Sequence, residues 1–296
     1  AVTLSMLVLN CPLGSDEVRK DPKAQDAIKK EVVQLHDKGS VNFREVQEWA
    51  DVLRKYPNAR RLPGKMLIGK KGWGKPDWKW KARFVARGDL VRDATGQIIR
   101  EAVEHKVPAH LAAVRLAFAL SLLFANGVVL DGDVSGAYLT AELDGPPTYL
   151  ELEWEMMPEE WRRCKHPVCR IWTGLYGLQR AGHGWGKKCE KQLFRLDYEK
   201  VAQSDEHTIY MRFFKGKNGI VEPVLVVVYV DDFLVVGNRE IAMVAHKEIE
   251  KALGFTPKDD YECEEFIGIQ MQALEPMKDG CRRVLMHQTT YAQHLV

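Results

Sequence analysis

The chain of 296 residues has no C-x-x-C pair, no internal repeat, no low-complexity tail and no long apolar run free of charge. Six cysteines, at 11, 164, 169, 189, 263 and 281, give no disulfide framework. Cys164 and Cys169, with His166 between them, come closest to a ligand cluster, but buried or incidental thiols of a reducing compartment are the expectation. The apolar stretch 107–126 is interrupted by His110 and Arg115. It reads as a buried helix, not as a membrane span. The opening AVTLSMLVLN lacks a basic flank and an initiator Met. No signal peptide is read there, and a piece of a longer chain is expected.

The apolar fraction of 46% and charged fraction of 28% describe a soluble globular protein with core enough for one large or two small domains. A net charge of +2 conceals an asymmetry. Arg60 to Arg92 holds eleven Lys and Arg against two Asp, a local balance of +9, so the remainder carries −7. Trp73, Trp78 and Trp80 are interleaved there with Lys71, Lys75, Lys79 and Lys81. Cations that neutralise phosphates beside rings that stack on bases suit nucleic acid; a solvated basic loop is the plainer alternative.

Periodicity places a helix over 22–38, capped by Asp21, with Pro22 in its first turn and Gly39 at its end. A second is expected over 43–56 from Val46, Trp49 and Leu53, with Asn42 and Glu45 as a capping pair. Residues 58–80 suggest a loop or mobile hairpin, 81–87 a strand with one basic face, 93–97 a turn, and 109–126 a helix apolar almost all round. Strands follow at 128–130, 148–153, 168–173 and 207–214. Trp185, Cys189, Leu193 and Leu196 mark a helix face. Asn238 caps a helix to Leu253 with Ile241, Val244 and Ile249 inward, and Gly254 ends it. Strand-like runs at 265–272 and 283–287 complete an α+β pattern, an antiparallel sheet with helices on one face.

The sharpest signal is VEPVLVVVYVDDFLVVG at 221–237, two β-branched runs broken only by Asp231-Asp232. Ionised groups in an otherwise buried hairpin cost several kcal/mol unless paired or on a metal. An Asp-rich turn is the plainer reading, although this turn has no Asn-Gly or Asp-Gly. Asp133, at the end of an apolar run, would supply a third carboxylate, and Asp131 competes for that role by spacing. Three such groups can hold two Mg²⁺ ions, or Mn²⁺, for phosphoryl transfer.

The chain resembles the reverse transcriptases of copia-type LTR retrotransposons. The resemblance rests on KARFVARG at 81–88, DVSGAYL at 133–139, VCRIWTGLYGL at 168–178, Ser204-Asp205, YVDD at 229–232, FIGI at 266–269 and HQTTY at 287–291, in family order. It implies a right-hand polymerase: an N-terminal helical segment over 1–57, fingers over 58–127 and 149–180, palm over 128–148 and 181–287 with a primer grip, and only the start of a thumb at 288–296. The palm sheet would be antiparallel and ferredoxin-like, backed by helices. By the same resemblance, Asp133, Asp231 and Asp232 are the catalytic metal ligands, which selects Asp133 over Asp131. Lys81, Arg83, Gly136, Ala137 and Tyr138 would bind the dNTP, with Tyr138 excluding a 2′-hydroxyl. Arg87, Tyr176, Gly177, Tyr229, Phe266, Ile267 and Gly268 would face template and primer. The implied partners are an RNA or DNA template, a primer 3′ end and dNTPs, with no membrane. The implied setting is intracellular, in a cytoplasmic virus-like particle with a route to the nucleus. A decayed nucleic-acid-binding module or a phosphohydrolase would use the same residues differently; the three retained aspartates disfavour the first, and the basic-aromatic window the second. Two departures stand out. Gly132 replaces a usual leucine, and Q179-R-A-G-H-G-W185 replaces K-Q-A-P-R-A-W, with glycines that weaken a helix start by about 1 kcal/mol each.

Overall fold

The computed structural model describes residues 8–73, 76–101, 109–124, 126–153, 156–201, 208–216, 219–278 and 281–293. Ser204-Asp205 and Lys75 lie outside these residues. The chain begins with β1 (Val8–Cys11), α1 (Asp16–Lys20), α2 (Pro22–Asp37), β2 (Val41–Glu48), α3 (Trp49–Lys55), β3 (Arg60–Lys71) and β4 (Lys79–Ala86). Then come α4 (Leu111–Ser121), β5 (Gly127–Asp133), β6 (Thr148–Leu152), β7 (Pro167–Ile171) and α5 (Gln179–Arg195). The rest is β8 (Glu199–Lys200), β9 (Ile209–Lys215), β10 (Val221–Tyr229), β11 (Asp232–Asn238), α6 (Arg239–Leu253), β12 (Glu265–Phe266), β13 (Ile269–Leu274), β14 (Arg283–His287) and α7 (Thr289–Gln293). These elements form two compact units: Met6–His105 with Ala137–Trp185, and Ala1–Ser5 with Lys106–Gly136 and Gly186–Val296. Among the described residues no helix is long and apolar enough to cross a membrane, and Cys164, Cys169 and Cys263 are free thiols.

In the first unit a mixed sheet runs β1-β3-β6-β7-β2, with β4 also paired to β3. Of the two expectations for 58–80, a loop or a hairpin, the structure has the hairpin: β3 pairs antiparallel with β4. On the inner face Leu62, Gly64, Met66, Ile68 and Lys70 of β3 alternate into the core opposite Trp80, Ala82, Phe84 and Ala86 of β4. This two-residue period outweighs the local Gly and Pro content. The helix expected over 43–56 begins only at Trp49. Its first half is β2, paired to β7 with a bulge between Val41 and Val46. The Asn42–Glu45 contact does form, at 2.8 Å. However, the Glu48 carboxylate accepts the Lys165 and His166 N–H groups at 2.8 and 3.0 Å, and Trp161 Nε1 donates to the Phe43 carbonyl at 2.7 Å. These long-range bonds hold the segment extended against its helical spacing.

The glycine-rich start of α5 is helical from Gln179. Buried Arg180 anchors it, donating to Glu101 at 3.0 Å, to Thr148 Oγ1 at 2.5 Å and to the Asp144 carbonyl. Gly184 permits close approach, since a Cβ there would stand 2.9 Å from the Glu142 carbonyl oxygen.

In the second unit an antiparallel sheet runs β5-β11-β10-β9-β8, and β12-β13-β14 form a small sheet. Val129, Leu234, Val236 and Val227 pack on one face with Val114, Ala117 and Phe118 of α4 and with Phe266 and Ile269. α6 packs against β5 and β11. The expectation that α4 is buried on most sides is not met: only Val114, Ala117, Phe118 and Ser121 are buried, and Leu111 and Leu116 are exposed, because the sheet needs only one stripe of the helix. In α6, Val244 likewise faces out, whereas Ile241 and Ile249 are buried as expected.

The departure at Gly132 has a packing cause. A Cβ there would lie 2.2 Å from the Phe255 ring, and that ring packs on Phe233 and His246 at centroid distances of 5.0 and 5.2 Å. Restoring leucine by Gly132→Leu should destabilise the chain by roughly 1–3 kcal/mol through overpacking, and Phe255→Ala by about 3–5 kcal/mol. The double variant should fall short of their sum in urea unfolding, and additive costs would contradict this packing.

Candidate active site

β5 and β11 pair in a register that sets Asp133 opposite Asp232. Paired residues of an antiparallel ladder project to the same face, so the two carboxyl groups share one side of the sheet. The β10–β11 hairpin closes at Tyr229 opposite Asp232, leaving Val230 and Asp231 as a two-residue turn. Val230 has a φ of 59°, which a β-branched residue rarely adopts. The turn is fastened to the neighbouring strand: the Val134 N–H donates to the Asp231 carbonyl at 2.9 Å. Adjacent acids on a flat strand would diverge; the turn lets Asp231 and Asp232 stay on the same end of the sheet as Asp133.

Electrostatics register the crowding. Asp232 is pushed up to about 7, first by burial and then by the negative charges of Asp231 and Asp133. Three carboxylates are hard oxygen donors of the kind that suit Mg²⁺ or Mn²⁺, and a divalent ion would relieve the charge that raises Asp232. The residues therefore fit such ions in donor type and in charge. Among the described residues, no three acidic, His or Cys side chains are already drawn into a metal-holding group.

Residues 255–261 brace the strand that carries Asp133. The Thr256 N–H donates to the Asp133 carbonyl at 2.7 Å, and its hydroxyl to Asp133 Oδ2 at 3.0 Å. Lys258 Nζ donates to Asp131 Oδ2 at 2.6 Å, so Asp131 is ion-paired. The Asp131 N–H donates to the Tyr261 carbonyl at 2.8 Å, and fully buried His246 donates from Nε2 to the Asp131 carbonyl at 2.8 Å. Burial pulls His246 down, keeping its ring neutral. The sequence pattern missed Thr256, Lys258 and His246. A lysine set among acids after the helix-ending Gly254 is the one signal that marks this brace.

The FIGI block folds as β12, a tight turn and β13. Phe266 is buried in the core beside Val129 and Leu234, while Ile267 and Gly268 form the turn with φ values of 45° and 80°. Tyr229 and Ile267 both pack against that cluster.

In the first unit, one face of the β3–β4 hairpin carries Lys65, Lys71, Lys79, Lys81 and Arg83, as the strand register requires. Arg83 Nη1 donates to the Tyr176 hydroxyl at 3.1 Å. Tyr138 follows Gly136, which has a φ of 67°, and buried Ala137. Gly177 has a φ of 88° and no room for a side chain, since a Cβ would meet the Ala86 carbonyl oxygen at 2.1 Å. Arg87, expected on the basic face, is held just past the strand end in a bidentate pair with Asp89 at 2.7 and 2.9 Å.

The three tryptophans gather around Lys70. Lys70 Nζ sits 4.0 Å from the Trp73 ring centre and 5.2 Å from those of Trp78 and Trp80. Lys70 also pairs with Glu17, and Trp80 Nε1 donates to Asp21 at 2.7 Å. Trp80 is thus not an open stacking platform, because a buried cation and a carboxylate claim it.

The Asp232 carboxyl, raised above its unfolded value, favours the protonated form of the fold. Without metal, its ionisation costs stability that is lost as pH rises from about 4 through 7. Asp232→Asn should therefore raise the metal-free unfolding midpoint at pH 8, with the gain shrinking toward pH 4. A gain independent of pH, measured by thermal melts across that range, would show that Asp232 is not strained by charge.

Residues 47–293 match the model of the family described as reverse transcriptase (RNA-dependent DNA polymerase). A stretch of 141 residues, 47% of this chain, is 27% identical to a retrovirus-related Pol polyprotein from transposon TNT 1-94 of Nicotiana tabacum, and covers 10% of that polyprotein. With most of its length matched, and with YVDD at the β10–β11 turn and DVSGAYL leaving β5, this chain belongs to the reverse transcriptase family, of the copia type.

Proposed function

We propose that the chain is the catalytic core of a DNA polymerase that copies RNA, and also DNA, from a primer 3′ end with dNTPs, in the replication of a retrotransposon. The observation that carries this reading is the placement of Asp133 opposite Asp232, with Asp231 in a turn fastened beside them. A nucleic-acid-binding module has no need to keep three mutually repelling carboxylates together at a cost in stability.

Asp133, Asp231 and Asp232 would hold two Mg²⁺ or Mn²⁺ ions. When bound, these ions supply charge neutralisation on the triphosphate and a lowered pKa at the primer 3′-hydroxyl. Lys81 and Arg83 bind the triphosphate by charge-assisted hydrogen bonds, and the backbone N–H groups of Gly136 and Ala137 add to its hold. Tyr138 lies under the sugar and excludes a 2′-hydroxyl. Arg87, Tyr176 and Gly177 lie along the template, and Gly177 lets its turn pack closely on the Ala86 carbonyl. Tyr229, with the Phe266–Gly268 turn, steadies the primer end; Phe266 does so from within the core, by holding that turn in place.

Primer extension on an RNA template, with dNTPs and Mg²⁺ or Mn²⁺, tests this. Asp231→Asn should lower extension on the order of 10²-fold or more while leaving template–primer binding in a gel shift within a few-fold of the parent. Extension by the variant at the parent rate would refute the polymerase reading. Binding without extension by the parent chain would favour a decayed module.

A further inference from the structure

We infer that Tyr176 is a positioning residue of the nucleotide site: its ring joins the sugar-facing Tyr138 to the triphosphate-facing Arg83, so that selection of the sugar is expressed in the binding of the phosphates. This rests on the polymerase reading of Tyr138 and Arg83. It gives Tyr176, placed above along the template, a further role on the nucleotide side of the site.

Three contacts define the junction. Arg83 Nη1 donates to the Tyr176 hydroxyl at 3.1 Å. The Arg83 guanidinium carbon lies 4.3 Å from the centre of the same ring. The Tyr138 ring meets Tyr176 edge to face, with centroids 5.5 Å apart and planes at 62°. One phenol therefore touches both side chains, through its hydroxyl and through its π system.

The ring is held from behind. The Ala86 N–H at the end of β4 donates to the Tyr176 carbonyl at 2.7 Å. Gly177 presses on the Ala86 carbonyl, and a Cβ on Gly88 would in turn stand 2.2 Å from the Gly177 carbonyl oxygen. The turn that carries Tyr176 is thus fastened to the strand that carries Arg83, and two glycines make the fastening close. Displacing the ring means breaking this backbone lock.

The partners of Arg83 are neutral, unlike those of four other cations of the basic window. Arg87 is matched by Asp89, Arg60 by Glu101, Arg61 by Glu151 and Lys70 by Glu17. Among the described residues no carboxylate pairs with Arg83; a phenol hydroxyl and a ring face hold it. A guanidinium oriented by neutral groups keeps its full charge for an incoming phosphate, with part of its ordering cost already met by the fold.

The linkage makes a specific demand. A nucleotide whose 2′-hydroxyl pushes Tyr138 also disturbs Tyr176, and through it Arg83. Discrimination against ribonucleotides should then appear in KM as well as in kcat. The test is steady-state single-nucleotide extension with dNTP and rNTP, on folded protein checked by its melting midpoint. Tyr176→Phe keeps the ring and removes the hydroxyl; it should raise the dNTP KM by roughly 2–10-fold, with a smaller change in kcat. Tyr176→Leu removes the ring as well and should lower the dNTP/rNTP preference. Tyr138→Ala should also lower that preference, and the double variant should lower it by less than the product of the single effects. The inference is overturned if Tyr176→Phe shows the parent KM, if the two losses of preference multiply, or if Tyr176→Leu lowers kcat equally for all nucleotides with KM and preference unmoved. Failure of the parent chain to extend any primer would instead overturn the polymerase reading on which the inference stands.

Discussion

Like charges held together against their repulsion are the constraint on which this structure turns. The β5–β11 pairing sets Asp133 against Asp232, and the two-residue turn keeps Asp231 at the same end of the sheet. The repulsion shows in Asp232, which burial and its acidic neighbours push up to about 7. Hydrophobic packing on both faces supplies the force that overrides it: Val129, Val227, Leu234 and Val236 on one side, Leu130, Phe233 and Val235 on the other, all buried. A sheet with a weaker core would let the strand ends fray apart.

The same end of that sheet is stiffened in two further ways. Residues 255–261 bind Asp133 through Thr256 and Asp131 through Lys258 and Tyr261, with Phe255 filling the space that Gly132 leaves. Val230 and Ile267 both take left-handed backbone conformations at tight turns. Such conformations cost of order 1–3 kcal/mol each and persist where surrounding structure over-determines them, as functional sites commonly do. Both turns adjoin the cluster that holds Tyr229 and Phe266, so the strain sits where the proposed reaction needs a rigid support.

Much of this was legible from the residues. Asp231-Asp232 inside β-branched runs pointed to the site, and alternation placed Lys81 and Arg83 on one face of β4. Caps marked α2 and α6: Asp21 and Asn238 accept N–H groups of the first turns, and Gly254 ends α6 in the left-handed region. What escaped notice depends on distant partners. β2 carries helical spacing through Val46, Trp49 and Leu53, yet Trp161 and the 165–166 backbone hold it extended. The brace over 255–261 has no period, and its bonds reach residues more than a hundred positions away. Composition also could not tell rings that face nucleic acid from rings that enclose Lys70. The sides of α4 and α6 that stay exposed, at Leu116 and Val244, were hidden because apolar content alone does not say how many neighbours a helix will have.

The central proposal is that these three carboxylates, which strand pairing and the turn bring to one end of the sheet, close on a divalent cation when it binds. Calorimetric titration of the nucleotide-free chain with Mn²⁺ tests it most directly, in buffers of different ionisation enthalpy near pH 6. Because Asp232 is held protonated up to about pH 7, binding to the parent chain should release protons, and Asp133→Asn should weaken binding while Asp232→Asn abolishes the proton release. Mn²⁺ binding unchanged in both variants, or no binding by the folded parent at millimolar concentration, would contradict the account.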